Sequence, residues 1–216
     1  MITIDESQFD PLTIPADALD IVGLNTLMEE CIYMLPGCDD LMIRKKLQET
    51  FRDFCRRTGS LFVHDTGTVT YLTPSLGLSK SDDEFFVFTN SYIDEVACNA
   101  TLVKECGCVS VKFSLSEDDN DDEGNPVEYT ADVIYSYIPR IGTETAPTWF
   151  LTKWGDAIAA GTLFRLLAMP KKPWTDAESA KLYGLEYQRL LNGSTIERLT
   201  GGKAGDLNCR AKTPFL

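Results

Sequence analysis

The sequence predicts an α+β fold: a small helical bundle of about four helices, with an antiparallel β insertion between helix pairs and extended termini. Three observations predict it. Apolar residues recur at helical spacing toward both ends, over 21–58 and 147–199. Between them they alternate with a period of two, over 101–115 and 127–138. Proline, glycine and short acidic residues mark the changes of period.

Residues 1–20 are polar and interrupted by Pro11 and Pro15, which predicts an extended N-terminal arm. From Ile21 to Met34 apolar residues fall at 21, 24, 27, 28, 31, 32 and 34, a helical pattern that Pro36-Gly37 ends. Asp39 or Asp40 can cap the next helix, because a short carboxylate accepts from the free N–H groups of a first turn. That helix carries one apolar stripe: Ile43, Leu47, Phe51, Phe54 and Cys55. Its other face carries Arg44, Lys45, Lys46, Arg52, Arg56 and Arg57, and Gly59 stops it.

The middle of the chain reads as strands. Leu61 to Tyr71 holds Phe62, Val63, Val69 and Tyr71 around a Thr66-Gly67 turn signal, and Glu84 to Phe88 is a short aromatic run. Residues 91–100 fit either helix or strand. Thr101 to Leu115 alternates, with Val103, Val109, Val111, Phe113 and Leu115 on one face. Val127 to Ile138 alternates again through Val133, Tyr135 and Tyr137. The acidic run from Glu117 to Glu123 between them is expected at the tip of a long antiparallel hairpin.

Helical spacing returns at Pro147, a residue suited to a first helical position. Phe150, Trp154, Ala157, Ile158, Gly161 and Leu167 follow, and Ala159-Ala160-Gly161 lets a neighbouring element approach closely. Met169-Pro170 ends this helix. Thr175 to Glu178 has the form of a capping box, in which Thr and Glu satisfy two free donors reciprocally. The last helix runs to about Leu191 or Leu199, and Gly201-Gly202 releases a tail. The expected organisation is an arm (1–20), a helical core (21–60 and 146–199), a β insertion with an acidic hairpin tip (61–145) and a C-terminal tail (200–216). Trp154 and Trp174 are expected to be buried.

Composition narrows the function. With 216 residues, 44% of them hydrophobic, the chain can bury one sizeable core. No apolar run approaches the roughly 18 residues that span a bilayer, and the start lacks the basic and apolar regions of a signal peptide. No membrane partner is expected. The net charge of −13 disfavours tight phosphate binding, which needs clustered Lys and Arg. Seven cysteines, an odd number without a signal, read as reduced thiols. Cys106-Gly107-Cys108 would need a second close pair or histidines to hold zinc, and His64 is the sole histidine. Neither metal nor cofactor is expected. His64 stands beside Asp65, which would suit a base, but spacing assembles no nucleophile and triad around it. In the acidic run, carboxylates alternate at 119, 121 and 123, yet an EF-hand would need its bidentate Glu where Thr130 stands. The basic face of the second helix is either a solvated face or a contact with an acidic neighbour subunit. No catalytic residues and no enzyme activity are expected.

Two blocks carry a family resemblance. One is Pro36-Gly37-Cys38, with its helix ending in Phe54-Cys55-Arg56-Arg57-Thr58-Gly59. The other runs from Trp154 through Ala157-Ile158-Ala159-Ala160-Gly161 and Arg165-Leu166-Leu167 to Met169-Pro170-Lys171-Lys172-Pro173-Trp174. These are packing motifs without catalytic chemistry. Together they resemble the head-to-tail adaptor (connector) proteins of tailed bacteriophages. The chain departs from that pattern at Lys171, where glycine is usual, at Thr162, where alanine is usual, and at Asp39, which replaces a common proline. The resemblance implies a structural virion protein of the head–tail neck, assembled in the host cytoplasm. It would dock on the portal protein, form a dodecameric ring of its own, meet the next neck or tail protein and extend the DNA channel. DNA would pass without specific binding, since an acidic lining repels it. The alternative is a neck or tail-completion protein contacting the tail tube rather than the portal. Subunit or portal contacts are expected at Arg56, Arg57, Lys203, Arg210, Lys212, Pro214, Phe215 and Leu216.

Overall fold

The computed structural model describes residues 20–79, 84–94, 96–105, 108–115 and 126–200 of the chain. Helices α1 (Asn25–Met34) and α2 (Asp40–Thr58) precede most of the strands, and α3 (Thr148–Leu167) and α4 (Ala177–Thr200) follow them. The fold is α+β, with four helices and antiparallel sheets among the described residues.

Local chemistry sets the limits of α2. Asp39 has extended backbone, and its carboxylate accepts the Leu41 N–H at 3.1 Å. Gly59 takes the left-handed conformation (φ 63°) and its N–H donates to Cys55 O at 2.8 Å. The stripe Ile43, Leu47, Phe51, Phe54 and Cys55 is fully buried. Phe51 and Phe54 meet Phe150 of α3 edge-on, with centroids 5.4 and 6.1 Å away.

Helix α3 is buried on several sides because α1, α2 and α4 all pack on it. Small residues make room for them. A Cβ on Gly161 would lie 2.7 Å from Thr50 Cγ2 of α2 and 2.8 Å from the Tyr187 ring of α4. Gly155 faces Leu27 of α1.

One sheet has the order β2 (Phe62–Val69), β8 (Tyr129–Ile138), β4 (Glu84–Ile93), β5 (Val96–Ala97). A second has β3 (Ser75–Gly77), β7 (Cys108–Phe113), β6 (Ala100–Glu105). A short pair, β1 (Ile21–Gly23) with β9 (Thr145–Pro147), ties the starts of α1 and α3 together. The Leu24 N–H donates to Glu144 O and the Thr148 N–H to Asp20 O, both at 2.8 Å. The first sheet meets the bundle where the Ser136 hydroxyl donates to Gly59 O at 2.8 Å.

Several expectations are corrected. The segment 21–34 starts as strand β1, because 145–147 offers it an antiparallel partner, and becomes helical only at Asn25. Thr66-Gly67 makes no turn: it lies inside β2, where Leu76 Cδ1 fills the place a Gly67 Cβ would occupy. The strand beginning at Glu84 continues to Ile93. Residues 91–100 then turn at Asp94 (φ 47°), form β5 and enter β6. The stretch 101–115 is two paired strands, β6 and β7, rather than one. Strands β7 and β8, which precede and follow the acidic run in sequence, lie in different sheets and do not pair as a hairpin. Residues of β8 from Val133 to Ile138 are buried on both faces, so the strand does not present one exposed face as alternation predicts. Pro147 precedes the first helical residue of α3. Asp176, not Thr175, caps α4, accepting the Glu178 and Ser179 N–H groups at 3.0 and 3.2 Å. Trp154 and Trp174 are half-buried against the core rather than enclosed by it. The acidic run, the arm up to residue 19 and the tail from 201 lie outside the described residues.

The two glycines at 161 and 193 give opposite expectations. Gly193 of α4 has open space where its Cβ would be, so Gly193→Ala should stabilise by about 1 kcal/mol of helix propensity. Gly161→Ala should instead destabilise, since overpacking of about 1–3 kcal/mol opposes that gain. Urea unfolding of both variants checks this, as a higher midpoint for Gly193→Ala and a lower one for Gly161→Ala, with m unchanged.

Candidate assembly interface

The outward face of α2 is basic in a strongly acidic chain. Arg44 lies 3.7 Å from Glu144, Lys46 2.5 Å from Glu49, and the Arg52 Nε donates to Pro139 O at 3.1 Å. Lys45 and Arg56 point into solvent. An open groove of about 810 Å³ runs along this face, lined by Arg44, Arg52, Arg56, Arg165, Ile141 and Glu144. Ile141 is 87% exposed on its rim.

Arg56 and Arg57 are neighbours in sequence but serve different surfaces. Arg57 lines a second groove, of about 480 Å³, with Asp53, Phe164, Arg165, Lys181 and Leu185. Asp53 organises that groove. Its carboxylate accepts from Arg165 Nη2 at 2.6 Å and from the Tyr187 hydroxyl at 3.3 Å, and Arg57 Nε stands 3.8 Å away. Burial, then the Asp53 charge, raise the Tyr187 pKa above its ordinary 10.0. The Asp53–Arg165 pair was not legible in the sequence: 112 residues separate the partners, and only the basic last turn of α3 hinted at it. The other expected contacts, Lys203, Arg210, Lys212, Pro214, Phe215 and Leu216, lie outside the described residues.

The remaining polar groups make structural pairings. His64 Nε2 lies 3.0 Å from Asp132 on the adjacent strand β8 rather than against Asp65. Asp65 is occupied: it accepts the Ser79 N–H at 2.7 Å, the Ser79 hydroxyl at 2.8 Å and the Tyr135 hydroxyl at 2.9 Å. The described cysteines, Cys31, Cys38, Cys55 and Cys98, are free thiols. Burial pushes Cys31 up to about 12 and Cys55 well above its ordinary 9.0. Among the described residues, no group of three or more His, Cys, Asp or Glu is placed to hold a metal ion. No described helix is long and apolar enough to cross a membrane.

Compared with known proteins, the chain matches no family model and no curated sequence.

The raised thiols and phenol generate a pH expectation. Cys31, Cys55 and Tyr187 are neutral when protonated, and the fold favours that form, so above about pH 9 the unfolded chain releases these protons first. Their contribution is complete below the unfolded values of 9.0 and 10.0 and is lost as pH rises past them. The urea midpoint should therefore fall on raising the pH above 9.0, and Cys31→Ala with Cys55→Ala should flatten that fall. An unaltered slope in the double variant would remove the thiols from this account.

Proposed function

We propose that this chain is a structural virion protein, a head-to-tail adaptor that docks on a portal ring and extends the channel for DNA. The observation that carries this reading is that the two blocks of the resemblance pack into one unit. Helix α2 closes on α3 at Gly161, Arg165 pairs with Asp53, and Cys38, Met169 and Trp174 lie against the same core. Motifs so far apart in sequence have a common purpose if what they encode is this packing.

The three departures from the family pattern support it as well. Lys171, at the usual glycine, has φ 61°, the left-handed conformation that glycine adopts without steric penalty. Thr162, at the usual alanine, is buried, with its hydroxyl donating to Ile158 O at 2.7 Å, so no polar group is stranded. Asp39, at the common proline, has φ −71°, close to the proline value of about −65°. Lys171 and Asp39 thus keep the backbone angles suited to the residues they replace, and Thr162 keeps the burial.

Charge fits the same reading. An acidic body lining a channel would repel DNA and keep its sliding cheap. The segment 203–216 is locally basic, with Lys203, Arg210 and Lys212, and ends in Pro214-Phe215-Leu216, which suits docking on a partner. Arg56 and Arg57 are the proposed subunit contacts on the bundle.

Light scattering of the purified chain, alone and mixed with a portal ring, tests this. Stoichiometric joining to the portal is expected. Deleting 203–216 should abolish that joining while leaving the melting temperature unchanged. Binding to tail tube but not portal would transfer the protein to the neck or tail-completion class. Binding to neither would end the adaptor reading.

A further inference from the structure

Helix α3 separates two flanks of the bundle. Gly155, against Leu27 of α1, and Phe164, against Gly184 of α4, are nine residues apart along α3. That is about two and a half turns, so α1 and α4 lie on opposite sides of it. Each flank exposes apolar side chains. On α1, Tyr33 is 86% exposed, with Ile32 and Met34 beside it. On α4, Leu182 and Leu185 are 64% and 62% exposed, and Leu185 lines a groove together with Phe164.

The charges around the flanks are opposite. Within the described residues 20–43 there are five carboxylates and no Lys or Arg, and Glu29 and Glu30 lie exposed on α1 itself. The groove beside α4 presents Arg57, Arg165 and Lys181 around the single carboxylate of Asp53, which Arg165 already pairs. Glu186, on the same helix, is paired with Arg189 at 2.6 Å. A two-fold contact would set each flank against its own copy, acid on acid at α1. A head-to-tail contact sets acid on base and covers both apolar patches at once.

We propose that copies of this chain associate head to tail, with the α1 flank of one packing on the α4 flank of the next and Tyr33 entering the groove of about 480 Å³ between Phe164 and Leu185. A protruding aromatic entering a partly apolar pocket rimmed by opposite charge is the usual form of an interface hot spot. The contact is heterologous, so it propagates into a ring where the rotation closes. It rests on the adaptor reading only for the size of that ring.

Sedimentation of the full chain without any portal tests the contact, at concentrations up to about 1 mM, where even millimolar contacts populate. The wild-type mass should rise with concentration. Tyr33→Glu and Leu185→Glu change exposed residues, so each should keep the wild-type melting temperature. Each should also weaken association by about 30-fold or more. Their equimolar mixture should form dimers and nothing larger, because Tyr33→Glu retains its α4 flank and Leu185→Glu its α1 flank. A mixture that stays monomeric, a wild type that stays monomeric throughout, or a Tyr33→Glu chain that associates like wild type would each overturn the proposal. A chain that self-associates in this manner and ignores a portal would end the adaptor reading and leave this contact standing.

Discussion

The close approach of three helices to α3 is the constraint on which the rest of the structure depends. At Gly161 both α2 and α4 occupy space that any Cβ would claim, and at Gly155 Leu27 of α1 stands 3.2 Å from where a Cβ would be, a tight contact. This closeness brings Phe51, Phe54 and Phe150 into edge-on contact and seals the apolar core. It also explains why α3 lacks a polar face along its middle: from Ala157 to Leu163 every residue is buried. A helix with so little amphipathic contrast is stable only when surrounded. The β1–β9 pair supports this by holding α1 and α3 at their common start.

Charge is distributed by the same packing. Apolar contact occupies the inner face of α2, so its cations are displaced to the outer face, toward the 139–144 segment and toward α4. There Asp53 draws Arg165 inward, and Arg57 stands close to the same carboxylate. Arg56 is left to solvent. The result is a narrow basic seam on a chain of net charge −13.

Legibility followed the range of the interactions. Helix α2 was readable almost throughout, since its cap (Asp39 or Asp40 from the sequence, Asp39 in the structure), its stripe and its stop at Gly59 are all local. The sheets were not. Nothing local separates β7 from β8 into different sheets, because both alternate well and an acidic run between them resembles a turn. Gly67 was misread for a related reason: a glycine that usually marks a turn is here making room for Leu76. Asp176 displaced Thr175 as the cap because Thr175 is engaged elsewhere, donating to Met169 O at 2.5 Å. On the basic face of α2, Arg56 and Arg57 were legible as charges. Their different grooves follow from Asp53, Arg165 and Tyr187, which only tertiary packing brings together.

The turn between α3 and α4 joins these threads. Lys171 at φ 61° is unfavourable for a residue with a Cβ, and such strain persists only where neighbours over-determine it. They do so here. The Thr175 hydroxyl accepts the Lys172 N–H at 3.0 Å, and the Asp176 N–H donates to Leu167 O at 3.1 Å. The Lys172 ammonium stands 5.8 Å from the centre of the Trp174 ring. Two residues later Asp176 caps α4 and accepts the Ser179 hydroxyl at 2.6 Å. The turn is therefore a rigid corner whose bonds set the direction in which α4 leaves α3. That direction decides where Leu182 and Leu185 stand relative to α1. A strained lysine at the corner and an exposed leucine pair on the outer flank are consequences of one geometry.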